Sequence, residues 1–401
     1  MTSRHPAAIW LIAGGAMQRL AAEKIKAMGY ALILTDGSNS CALRPLADEF
    51  VHLDTFDIAG NCAQADALRT RYDIRAVFTA GADCHETVAV LARHLGLHGI
   101  DPEIAHLCRF KNLTRERLRE KGVPQPHLRE AGSHEQALAA AEEIGFPIAL
   151  KATDNSGSRG FSRIERKEDL TRAGFQRARD NGTTGVVIVE ELLLPQPGAI
   201  AEQSVETVWY DGQMHWLNWV DRLFRKDFDS IAHPWNAADD PYRDVSWAIE
   251  LGHLNPAEHG LQVRQEVEAL VRRAGEAIGM VTQKGGHILK ADIMLTTKGP
   301  MILELTPRLS GGWDSALSTP ERGADFIGGA LRLALGDGLD EKLWHDHFAY
   351  RKPERRIAVL AQIRQDAQDC IGREFAWGAG PDRARALEAA YRAYREERFL
   401  V

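Results

Sequence analysis

The chain has 401 residues, too many for a single hydrophobic core, so two or three packed subdomains are expected. Its formal net charge is −7 and no segment is strongly basic, which argues against a nucleic-acid-binding protein. The sequence has no CxxC pair, no signal-peptide pattern and no apolar run of about 18 residues. We therefore expect a cytoplasmic protein with reduced thiols and no membrane span.

The first part of the chain alternates short apolar runs with helical stretches. This alternation is typical of a parallel sheet that is covered on both faces. Gly14-Gly15 and the segment Asp83–Glu86 follow predicted strands, where open α/β sheets bind ligands. The pattern predicts strands and helices over the ranges 8–13 (strand), 17–28 (helix), 30–35, 51–53 and 76–79 (strands), and 85–95 (helix).

The remainder of the chain combines helices with hairpins. An irregular stretch with three prolines, residues 224–260, is expected to be a functional or mobile loop. His233, Trp235, Arg243 and His253 lie in it and are candidate substrate contacts. Helices are predicted over 104–120, 135–144, 263–278, 325–335 and 382–398, and strands over 146–151, 161–164, 186–194, 203–210, 213–223, 288–295, 300–305 and 356–363.

The most informative motif is a hairpin that carries two acidic residues. Its strands join at Thr297-Lys298-Gly299 and place Asp292 and Glu304 on neighbouring strands among apolar residues. Buried carboxylates are costly without a partner, and Mg²⁺ with triphosphate oxygens is one solution. Arg308 follows at a distance that suits a phosphate or carboxylate. The alternative interpretation is an ordinary hairpin with a salt bridge between Glu304 and Arg308.

Three weaker signals precede this hairpin. Lys151 ends an apolar strand and is followed by a small-residue loop that could fold its N–H groups over phosphates. Glu190 and Glu191 end another strand and could contact a purine, although solvated glutamates at a strand end are the commoner interpretation. Lys111 lies on a helix, where a lone lysine is usually a surface residue.

In this order, these residues resemble the ATP-grasp superfamily, from about Ile104 to Leu335. The resemblance implies an α/β fold with two α+β lobes behind an N-terminal Rossmann-like pre-ATP-grasp domain. It divides the chain into residues 1–103 (that domain), 104–194 (the small lobe and the adenine-binding strand) and 195–401 (the large lobe, the metal hairpin and a C-terminal extension).

The resemblance also assigns roles to single residues. Lys111 and Lys151 would contact the α- and β-phosphates, and Arg222 would bind the γ-phosphate. Arg308 would steady the acyl phosphate or the tetrahedral intermediate, so that Arg308, Arg222 and Lys151 are the catalytic candidates. The nucleotide would also be bound by a loop over the triphosphate and by residues around adenine and ribose: Ser156, Gly157, Ser158, Arg159 and Gly160, then Glu190, Glu191, Leu193 and Glu202.

The metal site departs from the family pattern at one position. The resemblance implies that Asp292, Glu304 and Thr306 hold Mg²⁺ or Mn²⁺. The family motif Glu-x-Asn-Pro-Arg here has Thr306 in place of asparagine. A threonine hydroxyl is a weaker ligand than an amide carbonyl. The sequence therefore leaves open whether the site holds one metal ion or two.

The implied activity is that of an ADP-forming ligase. It would activate a small-molecule carboxylate with ATP as an acyl phosphate and join it to an amine. A bicarbonate-using carboxylase is the first alternative, because it shares every ATP-binding residue. A nicotinamide-dependent dehydrogenase is weakly suggested by Ile12-Ala-Gly-Gly, which lacks GxGxxG spacing, and a non-catalytic nucleotide-binding protein is favoured only by Thr306. The resemblance also allows a homodimer.

Overall fold

The computed structural model describes residues 5–155, 159–229, 231, 240–242, 249–365 and 371–400. The strands form three separate sheets. Within the described residues, no helix is both long enough and apolar enough to cross a lipid bilayer.

The N-terminal sheet has four parallel strands in the order β3-β2-β1-β4. Its central strand β1 is buried from Ala8 to Ile12, because helices and the rest of the molecule cover both faces. The expected parallel arrangement is confirmed. Its elements are β1 (Ala7–Ile12), α1 (Arg19–Ala27), β2 (Ala31–Asp36), β3 (Glu49–His52), α2 (Ile58–Leu68), β4 (Asp73–Phe78) and α3 (His85–His94).

Two helices, not one, follow this sheet. They are α4 (Pro102–Arg109) and α5 (Lys111–Glu120). The prediction of one continuous helix over 104–120 is therefore wrong at Phe110, whose backbone is extended. The backbone N–H of Lys111 donates to Thr153 O at 2.8 Å, which ties the start of α5 to the next sheet.

The second sheet is antiparallel, in the order β5-β8-β6-β7. Alternate side chains of β6, such as Ile148 and Leu150, join a core with α6 and α7. Lys151 lies on the opposite face of β6, because successive side chains of a strand alternate. The elements are β5 (Leu128–Ala131), α6 (His134–Ile144), β6 (Ile148–Ala152), β7 (Ser162–Ile164), α7 (Arg172–Asp180) and β8 (Val187–Glu191).

The third sheet has seven antiparallel strands in the order β13-β12-β9-β10-β11-β14-β15. Strand β11 lies within the stretch 224–260 that was expected to be irregular, so that prediction is wrong there. The elements are β9 (Glu202–Tyr210), β10 (Gln213–Leu223), β11 (Gly252–Asn255), α8 (Leu261–Ile278), β12 (Gly286–Thr296), β13 (Gly299–Thr306), α9 (Thr319–Glu321), α10 (Phe326–Ala334), α11 (Glu341–Leu343), β14 (Arg356–Gln365), β15 (Ile371–Gly380) and α12 (Arg383–Arg395).

Two cores attach helices to these sheets. Helix α8 packs on β9 so closely that a Cβ at Gly275 would meet the Trp209 indole at 2.1 Å. Helix α10 shares a core with β1, in which Phe326 contacts the same cluster as Ile9. The sheets span residues 7–78, 128–191 and 202–380, and the domain limits at 103/104 and 194/195 stay predictions.

Candidate active site

A cleft of about 460 Å³ lies between the second sheet, the third sheet and loops of the N-terminal sheet. The predicted residues Gly160 and Thr306 are described but are not among its walls, and Ser156, Gly157 and Ser158 lie outside the described residues. Most other predicted site residues meet here: Lys111, Lys151, Arg159, Glu190, Glu191, Leu193, Glu202, Arg222, Asp292, Glu304 and Arg308.

Asp292 and Glu304 face each other across the hairpin of β12 and β13, where they are direct partners in the strand register. Lys290 Nζ lies 2.7 Å and an Arg222 nitrogen 3.3 Å from Asp292 Oδ2, while the Ser204 hydroxyl donates to Oδ1 at 2.8 Å. Burial would raise the pKa of Asp292, but the two cations hold that pKa well below its usual value. Asp292 is therefore an anion at neutral pH.

Glu304 is bound by Lys111, whose Nζ lies 2.7 Å from Glu304 Oε1. Lys111 lowers the pKa of Glu304 against the opposite effect of burial. The alternative salt bridge does not form in the described structure, since Glu304 pairs with Lys111 and Arg308 with Asp83. Two ionised carboxylates on one wall, surrounded by cations, fit a divalent cation with phosphate oxygens. Thr306 is buried on the same strand opposite Lys290.

Lys111 also connects three parts of the site. Its Nζ donates to Asn155 O at 2.7 Å, in addition to its ion pair with Glu304. Helix α5, the loop after β6 and the hairpin are therefore joined through one ammonium group. A lysine in this position is not the surface residue that its helical context suggested.

Glu190 is almost fully buried, and its two oxygens bind two cations. Arg115 lies 2.8 Å from Oε1, and Lys151 forms an ion pair with Oε2. Burial alone would raise the pKa of Glu190, but Arg115 and Lys151 lower it. Sequence reasoning missed Arg115, although it lies four residues after Lys111 on α5 and so shares its helix face.

The other nucleotide-contact candidates surround the cleft mouth. Glu191 pairs with Lys298 at 2.8 Å, and Glu202 pairs with Lys226 at 3.2 Å. Leu193 is buried beside them. Their roles toward adenine and ribose stay predictions.

Arg222 and Arg308 extend the positive side of the cleft. Arg222 lies 2.8 Å from Glu250 as well as near Asp292. Arg308 is bound by Asp83 and donates to Leu309 O at 2.7 Å. Lys226, Lys290 and Glu250 were missed in the sequence; only Lys290, two residues before Asp292, stood near a recognised motif.

The turn after Arg308 approaches the N-terminal sheet closely. A Cβ at Gly81 would meet Gly311 Cα at 3.2 Å, so small residues are needed on both sides. Asp83 and His253, two candidate substrate contacts, line the cleft. The other candidates of the stretch 224–260, His233, Trp235 and Arg243, lie outside the described residues.

Comparison with known proteins finds a family match and relatives that each cover part of this chain. Residues 111–197 match the family of the carbamoyl-phosphate synthase L chain ATP binding domain. The uncharacterized protein y4rH of Sinorhizobium fredii is 25% identical over 72% of this chain and 55% of its own length. A formate-dependent phosphoribosylglycinamide formyltransferase of Bifidobacterium longum is 27% identical over 51% of this chain and 48% of its own. The chain thus spans about half the length of these relatives.

Solved structures share the fold at low sequence identity. An L-amino acid ligase from Bacillus licheniformis has a TM-score of 0.67 at 17% identity, covering 90% of this chain and 80% of its own. An N5-carboxyaminoimidazole ribonucleotide synthetase from Thermotoga maritima has a TM-score of 0.66 at 16% identity, covering 97% and 98%. The likeness to these structures confirms the expected α/β ATP-grasp fold.

Proposed function

We propose that this protein is an ADP-forming carboxylate–amine ligase that activates its acid as an acyl phosphate. The observation that carries the proposal is the opposed pair Asp292 and Glu304 in one cleft with Lys111, Lys151 and Arg222. Similarity to an L-amino acid ligase over most of the chain supports it.

Phosphoryl transfer depends on positioning and charge neutralisation rather than on covalent help from the protein. Lys111 and Lys151 would bind the inner phosphates, and Arg222 would neutralise the group that is transferred. Asp292 and Glu304 are the residues of the cleft that would hold Mg²⁺, which would supply further positive charge to the phosphate oxygens.

Arg308 stands where the activated acid would react. Its guanidinium lies in the same cleft as Asp292 and is held by Asp83. A planar guanidinium can bind a carboxylate through two hydrogen bonds and then the oxyanion that forms on attack. We assign it this role because it lies between the end of β13 and the Gly311-Gly312 turn. No other described arginine lies there.

The test is ATP turnover with Mg²⁺ in the presence of pooled amino acids and small amines, and separately of bicarbonate. ADP, AMP and phosphate are resolved, and Glu304→Gln is purified in parallel to measure contaminating ATPase. ADP and phosphate that appear only with both a carboxylate and an amine support the ligase. AMP as the nucleotide product contradicts the acyl-phosphate route.

A bicarbonate-using carboxylase is the second candidate. It is favoured by the likeness to the Thermotoga maritima N5-carboxyaminoimidazole ribonucleotide synthetase, which covers nearly all of both chains. ADP release driven by bicarbonate without an added organic acid would replace the ligase proposal with this one.

A further inference from the structure

Two buried carboxylates outside the nucleotide and metal residues share one amide. Glu206 on β9 is fully buried and Asp314, after the Gly311-Gly312 turn, is 3% exposed. Asn218 Nδ2 lies 3.1 Å from Glu206 Oε2 and 3.2 Å from Asp314 Oδ2. The amide therefore links Glu206 on the third sheet to Asp314 on the helical turn that follows β13.

The inner member, Glu206, is held rigidly. Its Oε1 accepts from the backbone N–H of Ser310 at 2.7 Å and from the Ser315 hydroxyl at 3.0 Å. These donors come from the turn that follows Arg308. Glu206 thus connects strand β9 to the turn at the edge of the cleft.

Asp314, the outer member, accepts further hydrogen bonds besides the one from Asn218. Its Oδ1 accepts from Asn255 at 2.8 Å and from Ser318 at 2.6 Å. Asp314 is also a wall residue of the cleft, whereas Glu206 is not. One carboxylate of the pair is therefore presented to a molecule bound in the cleft.

A second polar group at this wall lacks a partner. Ser310 lines the cleft and is 6% exposed, and its hydroxyl oxygen has no hydrogen-bond partner among the described residues. Buried polar groups are normally paired, so the Ser310 hydroxyl at the cleft wall indicates a ligand that can hydrogen-bond to it.

Burial and the neighbouring Asp314 raise the pKa of Glu206 to about 7, and burial also raises the pKa of Asp314. Two close carboxylates in a buried site repel each other, so each binds a proton more readily than an isolated acid does. The charged and titratable groups around them are Arg322 and Tyr350, His253 next to Ser318, and Lys290 opposite Glu206 in the strand register.

We propose that Asp314 binds the attacking amine as its ammonium ion and accepts its proton, with Glu206 as a positioning residue. The inference rests on the proposed ligase function and names a residue that the function did not assign. Ser310 would accept a second hydrogen bond from the same nitrogen. The substrate class is then an amine that is protonated in solution.

An N–H bond of the ammonium breaks and an O–H bond forms on Asp314, which frees the nitrogen lone pair. The nitrogen attacks the carbonyl carbon of the acyl phosphate, the C–N bond forms, and the C–O bond to phosphate breaks with its electron pair leaving on phosphate. The second nitrogen proton passes to the departing phosphate or to solvent.

The test compares two nucleophiles that trap the same acyl phosphate. The twenty common amino acids supply carboxylates and protonated amines, and hydroxylamine, already neutral at pH 7, is added in parallel. In Asp314→Asn we expect the ratio of amide to hydroxamate product to fall at least about 100-fold, because only the protonated amine needs a base. The control is Asp325→Asn. Asp325 lies outside the cleft and pairs with Lys24 and His347, so its replacement should leave the ratio unchanged.

Glu206→Gln provides a readout that a merely structural role would not move. Removing the neighbouring charge lowers the pKa of Asp314, so the acid limb of the kcat/KM profile for amide formation should shift to lower pH. Ser310→Ala should raise the amine KM several-fold with little change in hydroxamate yield. The Ser310→Ala variant still tests the proposed amine site if Asp314→Asn does not fold.

The outcomes separate this inference from the proposed function. A parent enzyme that forms no hydroxamate with ATP overturns the ligase proposal itself. If Asp314→Asn loses amide and hydroxamate in parallel, at an unchanged ratio, Asp314 has only a structural role. That result overturns its assignment as the base. An unshifted acid limb in Glu206→Gln overturns the role given to Glu206.

Discussion

The guanidinium of Arg308 is bound by the carboxylate of Asp83, which lies 225 residues earlier in the chain. Arg308 follows the hairpin of β12 and β13, whereas Asp83 follows the last strand of the N-terminal sheet. The contact places an N-terminal residue in the wall of the cleft, beside the arginine that we propose binds the reacting acid. The N-terminal sheet therefore contributes to the site as well as to the fold.

The first prediction concerns this ion pair. Asp83→Asn should lower turnover by about 10- to 100-fold, because a loosely held guanidinium is misplaced for the reacting group. ATP affinity should stay within about twofold, since the ion pair of Asp83 is with Arg308 and not with the adenine-contact candidates Glu191 and Leu193. Steady-state kinetics and fluorescent-nucleotide binding measure the two effects.

The matched control is Asp73→Asn, on strand β4 of the same sheet. Asp73 makes an exposed ion pair with Arg75 at 3.4 Å, and such pairs contribute little. Turnover at the parent's level in Asp83→Asn would show that Arg308 does not depend on this contact.

The second prediction concerns the opposed carboxylates. Glu304→Gln should keep the shape of the hairpin but lose one negative charge from the metal pair, so kcat/KM should fall at least about 1000-fold. Lys111 would retain its bond to Asn155 O, so the loop after β6 should stay in place. Titration with Mn²⁺, followed by electron paramagnetic resonance, should show weaker metal binding in the presence of ATP. Parent-like Mn²⁺ binding would remove Glu304 from the metal site.

The hairpin itself could be predicted from the sequence with little error. Apolar strands flank a Thr-Lys-Gly turn, and the observed strands, Gly286–Thr296 and Gly299–Thr306, contain the predicted ranges. The two carboxylates are an informative exception to the apolar pattern, and their opposition in register is confirmed. Local patterns suffice here because the turn fixes which residues face each other.

Contacts between distant segments could not be predicted in this way. One partner of Glu190 is Arg115 on α5, and the partner of Arg308 is Asp83. No local sequence pattern predicts either ion pair, because the two residues of each pair are far apart in the chain. Glu206 and Asp314 are likewise brought together only by the packing of the turn on β9. Strand β11 was missed because four residues within an irregular stretch give too short a pattern.

The third prediction concerns stability at the buried cations. Glu190→Gln removes the charge that offsets Arg115 and Lys151, and breaking such a buried arrangement typically costs about 3–5 kcal/mol of unfolding free energy. Urea denaturation followed by circular dichroism measures it. The neighbouring Glu191→Gln is the control: its partner Lys298 is 66% exposed, so the expected loss is below about 1 kcal/mol. Equal losses in both variants would contradict the account of Glu190.

The fourth prediction concerns acid stability and starts from His85. This side chain is 5% exposed, and neither ring nitrogen has a hydrogen-bond partner among the described residues. Burial lowers the pKa of His85 to about 4. Between that value and the ordinary pKa of about 6.5, the unfolded chain binds a proton that the folded chain does not. The free energy of unfolding therefore falls as the pH drops through this window.

Going from pH 7 to pH 5 should cost about 2 kcal/mol of unfolding free energy through His85 alone. His85→Leu should reduce the parent's loss between these pH values by about that amount, because it removes the titrating group without breaking a hydrogen bond. His345→Leu, at a 76% exposed side chain, is the control and should keep the parent's pH dependence. Urea denaturation at both pH values measures the difference. If His85→Leu shows the same pH dependence as the parent, His85 is also protonated in the folded protein, which would contradict the prediction.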